Sequence, residues 1–415
     1  MKREIRFFKP ILLLFLISLF LSCSENEQQE IAITENPDQF ETVSATPIED
    51  QYIVVLHENQ LSFRLDENDY EGSQILMRKE VEGIFREYKI ADDNLERVYS
   101  LALTGFCARI DQTKLKLIQN DPRVKYVEQD RMGALGKPDD KPPFKGNEDV
   151  GQNTQVIPWG IKRVGGPFQY SGRNSVFVVD TGIQLDHPDL NVNTQKGFDA
   201  YNPKKKDWNM DDEHGHGTHV AGTIGALNNN FGVVGVAAGV SVVPVKIFFG
   251  PWANYTFSGM IAGIEHVGVR GIPGDVANLS FGGFDSSTAL DEAVLRVSEK
   301  RKVWMVIASG NSSLPATSFS PARVNGKYTI TVSAFDSRDR YAWFSHYGSP
   351  IKFGAPGVSI YSSWINGTYR VSTGTSMAAP HVAALRLLGD IDADGFVLNY
   401  PISPSDPIAF RPNNQ

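Results

Sequence analysis

Cysteine is the scarcest signal in this chain. Two occur in 415 residues, Cys23 and Cys107, which excludes a disulfide-stapled scaffold. No cysteine follows residue 107, so stability there must come from a large core or a bound ion. Positive charge is also short. Lys and Arg total 40 against 48 Asp and Glu, a net charge of −8 with no long basic run. That balance argues against nucleic acid as a partner and leaves a solvated acidic surface. The remaining composition, 41% hydrophobic and 21% charged, is ordinary for a globular protein, and the length allows two or three domains.

The chain opens with Lys2, Arg3, Arg6 and Lys9 around the apolar core ILLLFLISLFL, which is too short to span a bilayer comfortably. The dipeptide SC and the polar SENEQQE follow. This pattern resembles a bacterial lipoprotein signal over residues 1–22, with Cys23 as the lipid-bearing new N-terminus and the membrane as a partner before processing. An ordinary secretory signal cut nearby is the other reading. Both export the chain to a compartment that permits disulfides, and a lipidated Cys23 forbids one with Cys107.

Residues 23–49 are polar and turn-rich and read as a tether. Over 50–130 the pattern tightens into YIVVLH (strand), SQILMRKEVEGIFREYK (helix), RVYSLALTGFCARI (two strands), QTKLKLIQND (helix) and RVKYVEQD (strand). This β-α-β-β-α-β order predicts a small ferredoxin-like α+β domain with Cys107 in its core. Residues 131–153 are rich in Pro, Gly and charge and read as an exposed linker suited to cutting. From 154 to 395, apolar runs such as SVFVVD, VSVVPVKIF, VANLSFGG and VWMVIASGN alternate with helical stretches. That alternation predicts an α/β domain with a mostly parallel, doubly wound sheet. Residues 396–415 read as a tail. Ligands of such sheets bind beyond the carboxyl ends of the strands, which gives weight to Asp180 and Asn311, each closing an apolar run.

Two helix starts carry further chemistry. HGHGTHVAGT puts His214, His216 and His219 within one turn or two, and STGTSMAAPHVAA puts Ser376 at a helix N-terminus. Taken singly, Ser376 is either a cap or a nucleophile placed where free N–H groups favour a developing anion. Three histidines are either a zinc nest or one base with two bystanders. An Asp, a His and a Ser together satisfy the needs of a serine nucleophile, since the base must reach the hydroxyl and the acid must fix the base's tautomer.

The blocks VVDTGIQLDHPDL, HGTHVAGT and GTSMAAPHVA, with NLSFGG, ASGN and FGAPG between them, resemble the subtilisin-like serine peptidases over residues 154–386. The β-α-β-β-α-β unit ending in YVEQD resembles that family's inhibitory propeptide. The resemblance implies a self-processing zymogen of a serine endopeptidase that acts on protein or peptide substrates and needs no organic cofactor. It assigns Asp180, His216 and Ser376 as the triad, Asn311 as the oxyanion-hole amide, and Ser280, Phe281 and Gly282 as a wall of the substrate cleft. His219 falls at a structural position and His214 in a loop. A catalytically degenerate binding protein on the same scaffold is the alternative.

The resemblance also implies a structural Ca²⁺ site built from the side chains of Gln155, Asp189 and Asn229 and the carbonyls of Leu227, Phe231 and Val233. Six hard oxygens suit that ion. Gln155 lies just after the linker, so the site is expected to be completed after cleavage. Three departures stand out. About 30 residues follow the serine block, where the family continues for several helices. HVAA puts Ala384 where glycine is commoner. DADG at 392–395 suggests a second ion loop.

Overall fold

The computed structural model describes residues 43–136, 154–202, 205–282 and 285–412; the expected signal segment and Cys23 lie outside them. The first domain runs β1 (Val43–Leu56), α1 (Tyr70–Tyr88), β2 (Leu95–Tyr99), β3 (Gly105–Arg109), α2 (Gln112–Ile118) and β4 (Val124–Ala134). The strands pair antiparallel in the order β4-β1-β3-β2. Both helices start on an aspartate that accepts backbone N–H groups: Asp69 from Gly72, and Asp111 from Thr113 and Lys114. Their apolar faces, including Met77, Val81, Ile84, Phe85, Leu115 and Ile118, close one side of the sheet. Cys107 is fully buried, as expected, and burial raises its thiol pKa well above the usual range.

The second domain continues as α3 (Trp159–Arg163), β5 (Phe168–Gln169), β6 (Ser175–Asp180), β7 (Phe198–Asp199), α4 (His216–Gly225), β8 (Ala237–Ala238), β9 (Ser241–Lys246), β10 (Asn254–Thr256) and α5 (Phe257–Arg270). Then come β11 (Val276–Leu279), α6 (Thr288–Arg301), β12 (Trp304–Ala308), β13 (Thr329–Phe335), β14 (Ile351–Pro356), β15 (Ile360–Trp364), β16 (Thr368–Ser372), α7 (Thr375–Leu388), β17 (Asp392–Phe396) and β18 (Pro407–Phe410). A nine-stranded sheet has the order β17-β18-β14-β13-β12-β11-β6-β9-β7, parallel throughout except for the β17–β18 pair. Every residue of β6, β11 and β13 is buried, as strands covered on both faces require. Helices α4 and α7 pack together and on this sheet, and Ala384 is completely buried in α7.

Three boundaries differ from the sequence reading. Among the described residues, regular structure begins at Val43, within the expected tether. β4 runs on to Ala134, into the expected linker, because it pairs with the start of β1 on one side and, over residues 132–134, with β10 of the second domain on the other; residues 137–153 lie outside the described ones. The tail is also structured: β18 pairs with β14, and Ile408 is buried. The DADG turn belongs to β17, an exposed edge strand. Its Asp394 pairs with Arg163 at 2.9 Å, so this acidic run has a structural partner.

The two domains share one continuous core. Ile53, Val55, Tyr99, Ala102, Leu103 and Leu135 pack in the same cluster as Phe177, Val179, Tyr255, Met260, Ile264 and Val297. Each fully buried apolar side chain contributes roughly 1.5–3 kcal/mol, so this contact outweighs the exposed ion pairs at its rim, such as Lys125–Glu292 and Arg296–Glu58.

Candidate active site

The carboxyl ends of three adjacent strands, β6, β11 and β12, meet the N-termini of α4 and α7. Asp180 is the last residue of β6, and Ser280 follows β11 directly. Asn311 stands three residues past β12. His216 opens α4, and Ser376 is the second residue of α7.

Asp180 Oδ1 lies 2.7 Å from His216 Nδ1, and both side chains are almost wholly buried. A carboxylate can only accept, so Nδ1 carries the proton and Nε2 is left as the basic nitrogen. Glycines let the histidine sit this close to the strand. Gly215 has φ 108°, and a side chain there would strike the Trp364 ring; at Gly217 it would lie 2.0 Å from the Gly182 carbonyl. Asp212 organises the turn. Its Oδ1 accepts the N–H groups of His214 and Gly215, and its Oδ2 accepts the N–H and hydroxyl of Thr218.

The three histidines now separate. His219 is buried with Nε2 3.0 Å from the carbonyl of Ile360 and 3.1 Å from that of Arg370, and burial lowers its pKa to about 3. His214 directs Nε2 at the carbonyl of Gly136, 3.0 Å away, and burial brings its pKa to about 4. The carboxylate contact belongs to His216. Among the described residues no group of three or more His, Cys, Asp or Glu is placed to hold a metal ion.

Ser376 and Ser280 are tied reciprocally: Ser376 Oγ donates to the Ser280 carbonyl at 3.0 Å, and Ser280 Oγ donates to the Ser376 carbonyl at 2.7 Å. Asn311 is oriented by Thr375, whose N–H and hydroxyl both donate to Asn311 Oδ1 at 2.9 Å. Two donors on one oxygen identify the other amide atom as nitrogen, and its N–H groups face away from Thr375 beside Gly374. Phe281 turns its ring into the core against Phe248, leaving only backbone to the cleft, and Gly282 packs over the Ala308 carbonyl.

The first domain occupies this cleft. Met132, Gly133 and Ala134 of β4 pair antiparallel with Thr256, Tyr255 and Asn254, Leu135 N–H donates to the Ala253 carbonyl at 3.1 Å, and Gly136 reaches His214. A Cβ at Gly133 would lie 2.3 Å from the Tyr255 hydroxyl, so only glycine fits this register. Acidic side chains fasten the rest. Asp130 Oδ1 accepts Ser258 N–H at the start of α5, and Glu128 accepts Ala289 N–H at the start of α6. Both occupy helix N-termini, where anions are favoured. In return, Glu265 on α5 accepts the N–H groups of Ser100, Leu101 and Ala102 and the amide of Gln74. β10, Asp212 and these carboxylates were not singled out in the sequence, and His214 was read there only as loop. A three-residue strand has no readable period, and acidic residues on a strand look like a solvated face.

The expected calcium ligands also converge. Gln155 Nε2 donates to the Leu227 carbonyl at 2.7 Å, to that of Val233 at 3.2 Å and to Asn229 Oδ1 at 3.3 Å. Asp189 accepts from Asn229 Nδ2, Val233 N–H and the Tyr369 hydroxyl. Phe231 enters through its N–H, bonded to Asn229 Oδ1; its carbonyl is not among these contacts. Burial raises the Asp189 pKa to about 6, as expected for a carboxylate lacking a countercharge. Three oxygens gathered around one amide nitrogen, with a carboxylate lacking a countercharge nearby, fit a hard cation once the Gln155 amide turns its oxygen inward. One expectation is corrected: Gln155 is already seated in the uncut chain, because Val156 bridges Val233 and anchors the segment.

Comparison with known proteins decides the family. Residues 173–388 match the subtilase family model, and residues 51–135 match the peptidase inhibitor I9 model. The chain is a member of the subtilase family. It is 34% identical over 352 residues to alkaline serine exoprotease A of Vibrio alginolyticus, covering 82% of this chain and 60% of that one. It is 36% identical over 302 residues to an extracellular serine proteinase of Thermus sp. (strain Rt41A), covering 71% and 68%. It is 36% identical over 288 residues to subtilisin E of Bacillus subtilis (strain 168), covering 68% and 69%. The chain thus spans about three-fifths to two-thirds of the length of these relatives. A crystal structure of a cold adapted subtilisin-like serine proteinase aligns at 36% identity over 57% of this chain and 85% of that one, with a TM-score of 0.48. The subtilase domain and its inhibitor-type domain coincide with the two structural domains described above.

Proposed function

We propose that this subtilase is an exported serine endopeptidase made as a self-inhibited precursor. The observation that carries the reading is the chain's own segment 132–136: residues 132–134 pair antiparallel with β10, and Gly136 meets His214, two residues before His216 of the His216–Asp180 pair. An enzyme that reads backbone through an edge strand binds extended peptides with little regard to sequence. In the reaction, Ser376 Oγ attacks the peptide carbonyl carbon while His216 Nε2 takes its proton. Asp180 stabilises the imidazolium that forms. The oxyanion receives the Asn311 side-chain N–H and the Ser376 backbone N–H, which has no acceptor within its helix at that position. His216 then protonates the leaving amine, and water repeats the sequence to free the acyl group.

Export, with a lipid on Cys23 or a simple secretory cut, belongs to the same proposal. Among the described residues no helix is long and apolar enough to cross a membrane. Calcium is part of it too: Gln155, Asp189, Asn229, Leu227, Phe231 and Val233 would hold the ion, which would supply the countercharge Asp189 lacks and brace the cysteine-free domain. The test is Ser376→Ala. The purified variant should remain a single uncut chain and hydrolyse no peptide. Cutting of its own linker at the wild-type rate, in the absence of any other protease, would refute self-processing. The rival reading, a degenerate scaffold that only binds, predicts that the wild-type chain also stays uncut and inert.

A further inference from the structure

His214 does something the triad assignment leaves unused. It precedes the catalytic block by two residues and is almost fully buried while the inhibitory strand is docked. Its backbone is fixed, because its own N–H and that of Gly215 both donate to Asp212 Oδ1, and Asp212 is in turn held by the Thr181 hydroxyl at 2.8 Å. The ring is therefore presented from a rigid turn. Its Nε2 stands 3.0 Å from the carbonyl oxygen of Gly136. A carbonyl can only accept, so Nε2 carries the proton.

Gly136 lies two residues past the end of β4. Residues 132–134 pair with β10, and Leu135 N–H donates to Ala253. One residue further on, His214 meets a main-chain group and not a side chain. Its ring centroid lies 6.3 Å from that of His216, so the carbonyl it holds is beside the catalytic base. Gly136 has φ 92°, a conformation that favours glycine, so the contact suits a glycine at this place.

We infer that His214 is a main-chain clamp of the cleft, whose Nε2–H donates to the carbonyl of Gly136 in the inhibitory segment and to that of a glycine in the same place in a peptide substrate. The inference rests on the reading of the cleft as a peptidase site. It makes His214 a substrate-binding residue with two effects. It tightens the hold of the inhibitory domain, and it places the substrate backbone next to His216. A short ester that fills only the bond-breaking position has no residue for the clamp to hold.

The test uses the processed enzyme with three variants: His214→Phe keeps the ring and removes the donor, His214→Gln keeps a donor on a flexible stem, and His214→Ala removes both. One neutral hydrogen bond corresponds to about 2- to 12-fold in an equilibrium constant. For a peptide copying residues 131–136 extended by a chromogenic amide, KM should rise by that factor in Phe and Ala, with recovery in Gln. KM for a single-residue ester should stay at the wild-type value, and so should the pH profile of kcat. A second measurement works on wild type alone: replacing the carbonyl corresponding to Gly136 by a thioamide, a weaker acceptor, should raise KM similarly, and should have no further effect in Phe. An unchanged KM for the extended peptide in His214→Phe and for the thioamide in wild type would overturn the clamp. So would a shift confined to the kcat pH profile, which would show that the ring only tunes its neighbour. If the enzyme hydrolyses neither ester nor peptide, the peptidase reading itself has failed, and labelling of Ser376 separates that case.

Discussion

Truncating Glu265 to alanine tests how the inhibitory domain is held. This carboxylate is buried on α5 and accepts from the N–H groups of Ser100 at 2.9 Å, Leu101 at 3.1 Å and Ala102, and from Gln74 Nε2 at 3.1 Å. Residues 100–102 are themselves buried. Alanine would leave three backbone donors without an acceptor, each costing about 1–3 kcal/mol unless water enters. One effect opposes this loss. Burial raises the Glu265 pKa above the ordinary carboxylate range, so the wild-type complex already bears a desolvation cost that the variant escapes. A net loss of about 2–3 kcal/mol follows, or roughly 30- to 150-fold in the inhibition constant, mostly through faster dissociation. The assay is the lag before activity when freshly processed enzyme is diluted into fluorogenic peptide. Glu265→Ala should shorten the lag by about that factor, while the final kcat/KM equals that of wild type. A lag within twofold of wild type would refute the reasoning, since the shared apolar core would then be holding the domain unaided.

Asn311→Leu removes the oriented donor at nearly constant volume and should cost about 10²–10³ in kcat with KM little changed; a change confined to KM would place Asn311 in ground-state binding. Calcium should stabilise the uncut Ser376→Ala precursor as well as the mature enzyme, since Gln155 is seated in both, and melting temperatures in calcium and in chelator would show it. Asp189 gives that effect a pH dependence. Its folded pKa of about 6 lies above the ordinary aspartate value of 3.8, so the ion-free domain gains stability as pH falls and loses it as pH rises from about 4 through 6. The gap in melting temperature between calcium and chelator should therefore widen from pH 5 to pH 7, and Asp189→Asn should abolish the widening; a gap independent of pH would remove Asp189 from the site.

Much of the fold and the site was legible in the amino-acid sequence. Continuous apolar runs marked the parallel strands, and polar residues closing them located Asp180 and Asn311, because a buried strand can place a polar group only where it emerges. Helix starts located His216 and Ser376. What stayed hidden involves pairs distant in sequence. Residues 132–134 are strand because β1 flanks them on one side and β10, about 120 residues further on, on the other. Asp130 and Glu128 carry charges that look solvated until the helix N-termini they cap are in place. His214 seemed part of a loop because its partner is a main-chain carbonyl, which leaves no trace in composition. Residues 396–410 looked like a tail because the pairing that orders them is with β14, far upstream.

The central claim is that Ser376 is a nucleophile activated by His216 and Asp180. The most direct test is reaction of the processed enzyme with a fluorophosphonate, followed by peptide mapping. One adduct per chain is expected, on Ser376, with loss of peptidase activity in proportion, and labelling slowed by orders of magnitude in His216→Ala. Full peptidase activity in protein that carries no adduct, or an adduct on another serine accompanied by the same loss, would contradict it.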